Sequence, residues 1–197
     1  LDAKVLLDEN VKQIDVNSNK HLVISPYPSE YTTAFTLKNG QEVTLRAITP
    51  EDELMEKEMF SNFSERTQRF RFFQLIKDIS HDQLIRYTQI DYDREIASIA
   101  EVEDEGKKKM AGVVRLIADQ YGETAEYAIV IADPWQNQGL GNKFTDYIHD
   151  IAKARGIKKI YANVLVQNHI MQHMFRSRGY KMEKVEDSYY AELVINN

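Results

Sequence analysis

Apolar residues recur along this chain with two alternating periods, one typical of strands and one typical of helices. A period of two begins at Arg94 and predicts a strand that returns as a hairpin. Apolar side chains spaced three and four residues apart predict amphipathic helices further on. The second half of the chain therefore alternates between the two: strands at residues 94–102, 110–117, 124–132, 159–166 and 189–195, and helices at 139–155 and 168–178.

The first half begins with a hairpin and continues with short helices. Asn39-Gly40 lies between two β-rich runs and predicts a type I′ turn, which needs positive φ at both central residues. Thr49 and Pro50 then predict the N-cap and first position of a helix that runs to about Phe60. Ser64 and Ser80 predict the caps of two more helices, the second with Gln83 as a capping box. We therefore predict an α/β protein with one mixed, mostly antiparallel central sheet flanked by helices.

Composition narrows the classes of function. The 197 residues include 25 Lys and Arg against 31 Asp and Glu, a net charge of −6, which argues against nucleic acid as a partner. No apolar run approaches the roughly 20 residues that cross a membrane, so we expect no membrane partner. The absence of cysteine excludes disulfides, thiolate metal sites and a cysteine nucleophile. It also fits a reducing compartment, and we expect a cytoplasmic protein.

Two charged stretches are open to more than one interpretation. Arginine and phenylalanine alternate over residues 69–73, a pattern that could stack single-stranded nucleic acid. The net charge favours instead a half-buried helix whose Phe side chains face the core. The lysine triplet 107–109 is interpreted as a solvated loop tip and not as a binding patch.

Candidate chemistry centres on the turn between the strand at 124–132 and the next helix. Gln136 to Gly141 form a glycine-rich loop that opens this helix, and free amides at a helix N-terminus bind anions. A dinucleotide fingerprint would need a third glycine where Phe144 stands. A nucleotide P-loop would need Gly-Lys-Ser/Thr, but Asn142 follows Gly141.

The pattern Gln-x-x-Gly-x-Gly after a strand resembles the pyrophosphate loop of the GNAT N-acetyltransferase superfamily. Downstream, Asn168 begins a helix that ends in Arg178-Gly179-Tyr180, which is similar to a second motif of that family. The resemblance covers about residues 37–195. It implies the GNAT fold, with acetyl-CoA as co-substrate and no metal.

A closer resemblance is to the GNAT domain of bacterial protein-lysine acetyltransferases, and it is carried by residues 45–53, 69–73 and 87–95. In those proteins an ADP-forming, acyl-CoA-synthetase-like region with an ATP-grasp domain precedes the GNAT domain. Residues 22–28 resemble the end of that region. We therefore expect residues 1–30 to be its remnant, residues 31–197 to be the acetyltransferase domain, and the chain from Leu1 to be part of a longer polypeptide.

This resemblance implies transfer of acetyl to a lysine of a protein acceptor, for which an acyl-CoA synthetase is one candidate. A lysine amine with a pKa near 10.4 costs about 4–5 kcal/mol to deprotonate at pH 7, so a general base is needed. Glu126 lies where family members with glutamate bases carry theirs, and apolar neighbours would raise its pKa if the strand is buried. Glu123 is the second candidate, and a solvent-facing or lysine-paired glutamate is the structural alternative.

The resemblance also implies which residues hold the co-substrate. Strand residues would pair with the pantetheine arm and stabilise the oxyanion, loop amides would hold the pyrophosphate, and Asn168 belongs to the second motif. The expected contacts are Ile129, Val130, Ile131, Gln136, Asn137, Gln138, Gly139, Leu140, Gly141, Asn142 and Asn168.

The helix predicted at residues 168–178 carries a phenylalanine where a general acid is common, and two histidines. Many GNAT enzymes carry a tyrosine as general acid at the position of Phe175, so a non-catalytic acyl-CoA sensor is an alternative. An enzyme with the same chemistry that acetylates a small amine or free amino acid is another. His169 and His173 are four apart on a predicted helix. Ile170 stands where the zincin pattern needs glutamate, so we expect no metal there.

Overall fold

The computed structural model describes residues 26–76 and 78–195. Within them, eight strands and five α-helices follow one another along the chain. Their bounds are β1 Thr33–Thr36, β2 Glu42–Ala47, α1 Glu53–Ser61, α2 Glu65–Phe72, α3 His81–Thr88, β3 Glu95–Asp104, β4 Lys107–Ala118, β5 Thr124–Ile131, α4 Leu140–Ala154, β6 Lys159–Leu165, α5 His169–Ser177, β7 Lys181–Val185 and β8 Ser188–Val194.

All eight strands form one sheet in the order β1-β2-β3-β4-β5-β6-β8-β7. Every neighbouring pair is antiparallel except β5 and β6, which are parallel. Side chains from α4 and α5 pack on one face of the sheet, and side chains from α1, α2 and α3 pack on the other. The predicted mixed, mostly antiparallel sheet with flanking helices is confirmed.

The helices begin where the sequence predicts. Thr49 and Asp52 form a capping box at a short 3₁₀ turn, Pro50–Asp52, that leads into α1. The Ser64 side chain accepts a hydrogen bond from the Thr67 amide at the start of α2, and Ser80 forms a capping box with Gln83 at the start of α3. These caps satisfy amides that have no partner inside the helix.

The first hairpin turns at Asn39-Gly40 as predicted, but the predicted type I′ turn is wrong. Only Gly40 has a positive φ, of 88°. Leu37 and Gln41 face each other, because the Leu37 amide donates to the Gln41 carbonyl over 2.9 Å, and this leaves a three-residue loop. Such a loop needs positive φ only at its last residue.

A two-residue turn with positive φ at both positions occurs instead at Glu105-Gly106, with φ of 52° and 75°. It joins β3 to β4, so the lysine triplet lies in the first residues of a strand and the prediction of a loop tip is wrong. Lys108 forms an ion pair with Glu101 over 2.7 Å, and Lys109 pairs with Asp104 over 2.8 Å. The opposite charges on the neighbouring strand stabilise this edge of the hairpin.

Helix α2 and strand β7 also differ from what the sequence predicts. Phe72 packs edge-on against Phe60 at 5.7 Å, but Phe73 ends α2 in the left-handed conformation and is 46% exposed, so not every Phe of this helix faces the core. Strand β7 was not predicted, because its residues are mostly charged and four of the five are exposed. Pairing with β8 through the backbone, and not burial, makes it a strand.

Tyr27 contacts the sheet near the predicted domain boundary. Its hydroxyl donates to the Ala47 carbonyl over 2.8 Å, and its ring packs edge-on against Tyr92. Residues 1–25 lie outside the described residues, so the boundary near Tyr31 and the synthetase-like remnant stay predictions. None of the described helices is long and apolar enough to cross a membrane.

Gly112 lies on β4 opposite Ile131 of β5. A Cβ atom at this position would lie 2.7 Å from the Val130 carbonyl oxygen and 3.2 Å from the Phe144 ring. We expect Gly112→Ala to lower the free energy of unfolding by about 1–3 kcal/mol, because the strands must move apart. Urea denaturation measures this change. The exposed strand variant Asn163→Ala should stay within about 0.5 kcal/mol of the wild type, and an equal loss in both variants would contradict the steric explanation.

Candidate functional site

The parallel strands β5 and β6 pair only at their beginnings. Thr124, Ala125 and Glu126 lie opposite Lys159, Ile160 and Tyr161, and no later residue of β5 has a partner on β6. Pairing with β4 continues along the whole of β5. The stretch from Tyr127 to Ile131, about 16 Å at 3.3 Å per residue, therefore has one backbone edge without a partner among the described strands, the open edge. The predicted co-substrate contacts Ile129, Val130 and Ile131 all lie on it.

The glycine-rich loop lies at the far end of this open edge. Gly139 takes the N-cap of α4 with φ of 91°, and no side chain caps the helix. The amides of Leu140, Gly141 and Asn142 thus have no intrahelical acceptor, and the first turn of α4 contains no acidic residue. Gly141 packs so closely on β5 that a Cβ would lie 3.3 Å from the Ile131 side chain. This end of α4 is suited to an anion.

Hydrogen bonds to the N-terminus of α2 fix the first part of the loop. The Asp133 carboxylate accepts from the Ser64 amide over 3.0 Å and from the Thr67 hydroxyl over 2.8 Å. Partial burial raises the pKa of Asp133, but these hydrogen bonds outweigh it and hold the pKa below its usual value. The Gln136 side chain donates to Thr67 and to the Ile131 carbonyl, both over 3.0 Å, so it supports the loop from within.

The first hairpin and α5 fix the rest of the loop. The Gln138 carbonyl accepts from the Lys38 amide over 3.1 Å, and the Trp135 ring nitrogen donates to Gln41 over 3.0 Å. Asn137 has a positive φ of 61°, which turns the chain toward α4. Arg178 donates to the Asn142 side chain over 3.1 Å. The loop is thus held in shape by contacts that leave the first amides of α4 free.

The two candidate bases have different surroundings. Glu126 is half-buried at the last paired position before the strands separate, and it forms no hydrogen bond or ion pair with the described residues. Glu123 precedes β5 in an exposed turn and forms an ion pair with Lys158. Its side chain is 55% exposed. Of the two carboxylates, Glu126 is therefore the one at the gap, the place where β5 and β6 separate.

Asn168 and Phe175 lie on the other side of the gap, after β6. Asn168 is buried and caps α5 by accepting from the Met171 amide over 3.2 Å. Phe175 is fully buried, stacked on Tyr180 at 4.4 Å and edge-on to Tyr127 at 5.5 Å. It therefore fills the core between α5 and the sheet and supplies no proton donor.

The candidate histidines are not brought together with other ligands. His169 and His173 are both exposed on α5. Across residues 26–76 and 78–195 there is no group of three or more histidine or acidic side chains that could hold a metal ion.

A buried charge cluster, not found from the sequence, lies on the same sheet face as Glu126. Arg115 donates to Glu56 over 2.9 Å, to Glu95 over 3.0 Å and to the Tyr87 carbonyl over 2.7 Å. Glu56 is completely buried, and among the described residues its Oε2 is the one buried side-chain nitrogen or oxygen without a hydrogen-bond partner. An arginine within the apolar run of β4 is the sequence signal that points to such a cluster.

Burial raises the pKa of Glu56 to about 7, although Arg115 and Arg71 oppose this. A carboxyl with a folded-state pKa above its unfolded value of about 4.5 stabilises the fold at low pH and loses that contribution as pH rises toward 7. We expect the wild type to lose about 2–4 kcal/mol relative to Glu56→Gln between pH 4.5 and pH 7.5. Urea denaturation of both proteins across this range measures the difference, and parallel pH profiles would contradict the assignment.

Known proteins match this chain in sequence. The model of the "Acetyltransferase (GNAT) family" matches residues 57–180. The chain is 28% identical over 152 residues to Acetyltransferase PA5475 of Pseudomonas aeruginosa, covering 77% of this chain and 82% of that protein.

Solved structures show the same fold. The GNAT domain of S. lividans PAT has a TM-score of 0.77 at 23% identity, covering 86% of this chain and 99% of that one. Spermidine N-acetyltransferase from Vibrio cholerae, solved in complex with CoA and spermine, has a TM-score of 0.64 at 23% identity, covering 77% of this chain and 95% of that one.

Proposed function

Because the chain belongs to the acetyltransferase (GNAT) family, we propose that it transfers acetyl from acetyl-CoA to the ε-amine of a lysine in a protein. The separation of β5 from β6 directly after Glu126 is the structural feature that most strongly supports this function. It leaves an open strand edge between a carboxylate at one end and a free helix N-terminus at the other.

The residues around the gap fit acetyl-CoA. The pyrophosphate is expected at the amides of Leu140, Gly141 and Asn142, where the helix dipole favours negative charge. The pantetheine arm carries amides that can pair with the open backbone edge from Tyr127 to Ile131, as an added strand does. The spermidine N-acetyltransferase of similar fold was solved with CoA, which supports this assignment.

Glu126 is proposed to take the proton that the lysine amine must lose. A half-buried carboxylate without a partner can accept a proton, whereas the carboxylate of Glu123 is engaged by Lys158. The backbone amides of Ile129 and Ile131 are the candidate donors to the developing negative charge on the carbonyl oxygen, because they face the open edge whereas the Val130 amide between them faces β4. When bound, acetyl-CoA supplies the thioester. A thiol pKa near 8.5 allows the thiolate to leave without a proton donor at Phe175.

A protein lysine is the proposed acceptor for two reasons. Segments 45–53, 69–73 and 87–95 resemble bacterial protein-lysine acetyltransferases. The net charge of −6 suits a basic acceptor. A cytoplasmic location and an acyl-CoA synthetase as acceptor are part of the same proposal.

Transfer to peptides tests the proposed function. We expect mass spectrometry to show acetyl-lysine on a blocked lysine peptide incubated with acetyl-CoA and the protein, with less transfer to spermine and to free amino acids. Faster turnover of spermine or an amino acid would make the acceptor a small amine. Tight CoA binding without turnover of any amine would instead support the acyl-CoA sensor that the buried Phe175 favours.

A loop variant tests the proposed pyrophosphate site. Gly139→Val places a branched side chain at φ of 91°, next to Lys38 and Phe35, and should weaken CoA binding at least about tenfold in calorimetry. Gly156→Val is the matched control, because Gly156 has φ of 75° at the opposite end of α4 with open space around it. Equal CoA affinities for the two variants would contradict binding at the loop.

A further inference from the structure

Arg71, near the end of α2, lacks an acidic partner among the described residues, and its guanidinium stacks only on the Phe72 ring, with 5.2 Å between guanidinium carbon and ring centroid. It is half-buried, and its guanidinium forms neither a hydrogen bond nor an ion pair with any residue the structure describes. The other arginines that are not exposed all donate to carboxylate or carbonyl oxygens: Arg46, Arg115, Arg155 and Arg178. Partly desolvating a guanidinium without such an acceptor is costly, so Arg71 is an exception that needs a reason.

The position of Arg71 is fixed by the same contacts that hold the loop. Ser64 and Thr67 bind Asp133, just after β5, so the N-terminus of α2 lies beside the end of the open edge. Arg71 follows Thr67 by one helical turn, about 6 Å along the axis. Arg71 therefore lies one turn beyond the loop contacts, next to Phe72, which packs on the sheet face that bears Glu126.

Charges on every neighbouring element act on Arg71. Burial and the like charge of Arg115 lower its pKa, while Tyr87, Glu126 and Glu56 oppose this. Glu56 does not compensate the charge of Arg71, because it already pairs with Arg115 inside the cluster. The negative charge of Glu126 raises the pKa of Arg71, but the two side chains form no ion pair. The guanidinium thus lies near the candidate base with its donors unused.

We propose that Arg71 binds a carboxylate of the acceptor, supplied by an acidic side chain close to the lysine that is acetylated. This inference rests on the proposed function. A guanidinium is suited to this task because its planar fork donates two parallel hydrogen bonds to a carboxylate. With the amine at Glu126, an acidic neighbour on the peptide brings its carboxylate to Arg71 and supplies the missing charge. The acceptors are therefore lysines with an aspartate or glutamate nearby.

Paired peptides test this specificity. Each blocked peptide carries one lysine and a single glutamate within two residues of it, and its partner carries glutamine there. We expect the best glutamate peptide to have a KM at least about tenfold lower than its glutamine partner, with similar kcat. Arg71→Gln should reduce the ratio of the two KM values below about twofold, and Arg71→Lys should retain part of the difference. Arg69→Gln is the matched control, an exposed arginine on the same helix, and should keep the full ratio.

Several results would overturn the inference. The wild type could show no preference for the glutamate peptide over the glutamine peptide. Alternatively, the Arg71→Gln variant could keep the full preference of the wild type. An equal fall of kcat with both peptides, together with a shifted pH profile, would mean that Arg71 acts through Glu126. A last result concerns peptides that end in the acetylated lysine. If these were preferred only with a free C-terminal carboxylate, and not as the C-terminal amide, the group bound by Arg71 would be a terminal carboxylate and not an acidic side chain.

A failure of the proposed function itself would give a different result. If the wild type transferred acetyl to no peptide, the proposed function would be wrong, but the preference of Arg71 for a carboxylate could still be measured by peptide binding. Fluorescence anisotropy with labelled peptides, in the presence of CoA, gives the Kd of each glutamate and glutamine pair. A Kd for the glutamate peptide at least about tenfold lower than for its glutamine partner, with loss of this difference in Arg71→Gln, supports the carboxylate site. Equal Kd values for the two peptides contradict it.

Discussion

Replacing Glu126 by glutamine is expected to lower kcat for acetyl transfer by about 10²–10⁴-fold and to leave the Kd for CoA within about twofold. Glutamine keeps the size and polarity of the side chain but cannot take the proton from the amine. Because unprotonated lysine becomes abundant near pH 10, the rate of the variant should rise with pH up to that value. Steady-state kinetics between pH 7 and pH 10, with calorimetry of CoA, measure both effects.

Glu123→Gln is the matched control for this prediction. It removes a carboxylate three residues away whose partner is Lys158 in an exposed turn, so kcat should stay within about twofold of the wild type. A larger loss in Glu123→Gln than in Glu126→Gln would reverse the assignment of the base. Weakened CoA binding in Glu126→Gln would show that the substitution disturbs the gap and not only the proton transfer.

Replacing Arg115 by methionine is expected to lower the free energy of unfolding by about 3–5 kcal/mol at pH 7.5. The variant keeps the apolar stem but leaves Glu56 and Glu95 without their cation. Glu56 is completely buried and its Oε2 already lacks a donor, so a second unpaired oxygen adds to the cost. The loss should be smaller at pH 5, where Glu56 is protonated, because burial raises its pKa to about 7.

Urea denaturation at the two pH values measures this prediction. Arg66→Met is the control, since Arg66 is exposed on α2 and only stacks on Phe70, with 5.3 Å between guanidinium carbon and ring centroid. It should change the free energy of unfolding by no more than about 0.5 kcal/mol. A loss for Arg115→Met that is the same at pH 5 and pH 7.5 would argue against a titrating Glu56 in the cluster.

The sequence was sufficient for most of the fold because its signals are local. The capping residues Thr49, Ser64 and Ser80 act on amides two or three positions away, and the apolar period of α4 lies within one helix. The loop before α4 was predicted for the same reason, since glycine and a helix start are neighbours in sequence. The turn type at Asn39 was wrong because it depends on which residues of the two strands pair.

The rest of the site depends on residues far apart in the chain. Arg115 is marked by the apolar run around it, but only the packing of α1 and the start of β3 beside β4 gives it the carboxylates of Glu56 and Glu95, while Arg71 receives none from the described residues. Strand β7 likewise exists only through its pairing with β8. The gap between β5 and β6 follows from how two separate strands diverge, which no local pattern encodes.

The most direct test of the account is a crystal structure with a lysine peptide joined through an acetyl bridge to the CoA sulfur. We expect the pantetheine arm along the open edge from Tyr127 to Ile131, the pyrophosphate at the amides of residues 140–142, and the lysine nitrogen beside the Glu126 carboxylate. A conjugate bound outside the gap, or a lysine nitrogen beside Glu123 or another carboxylate, would contradict it.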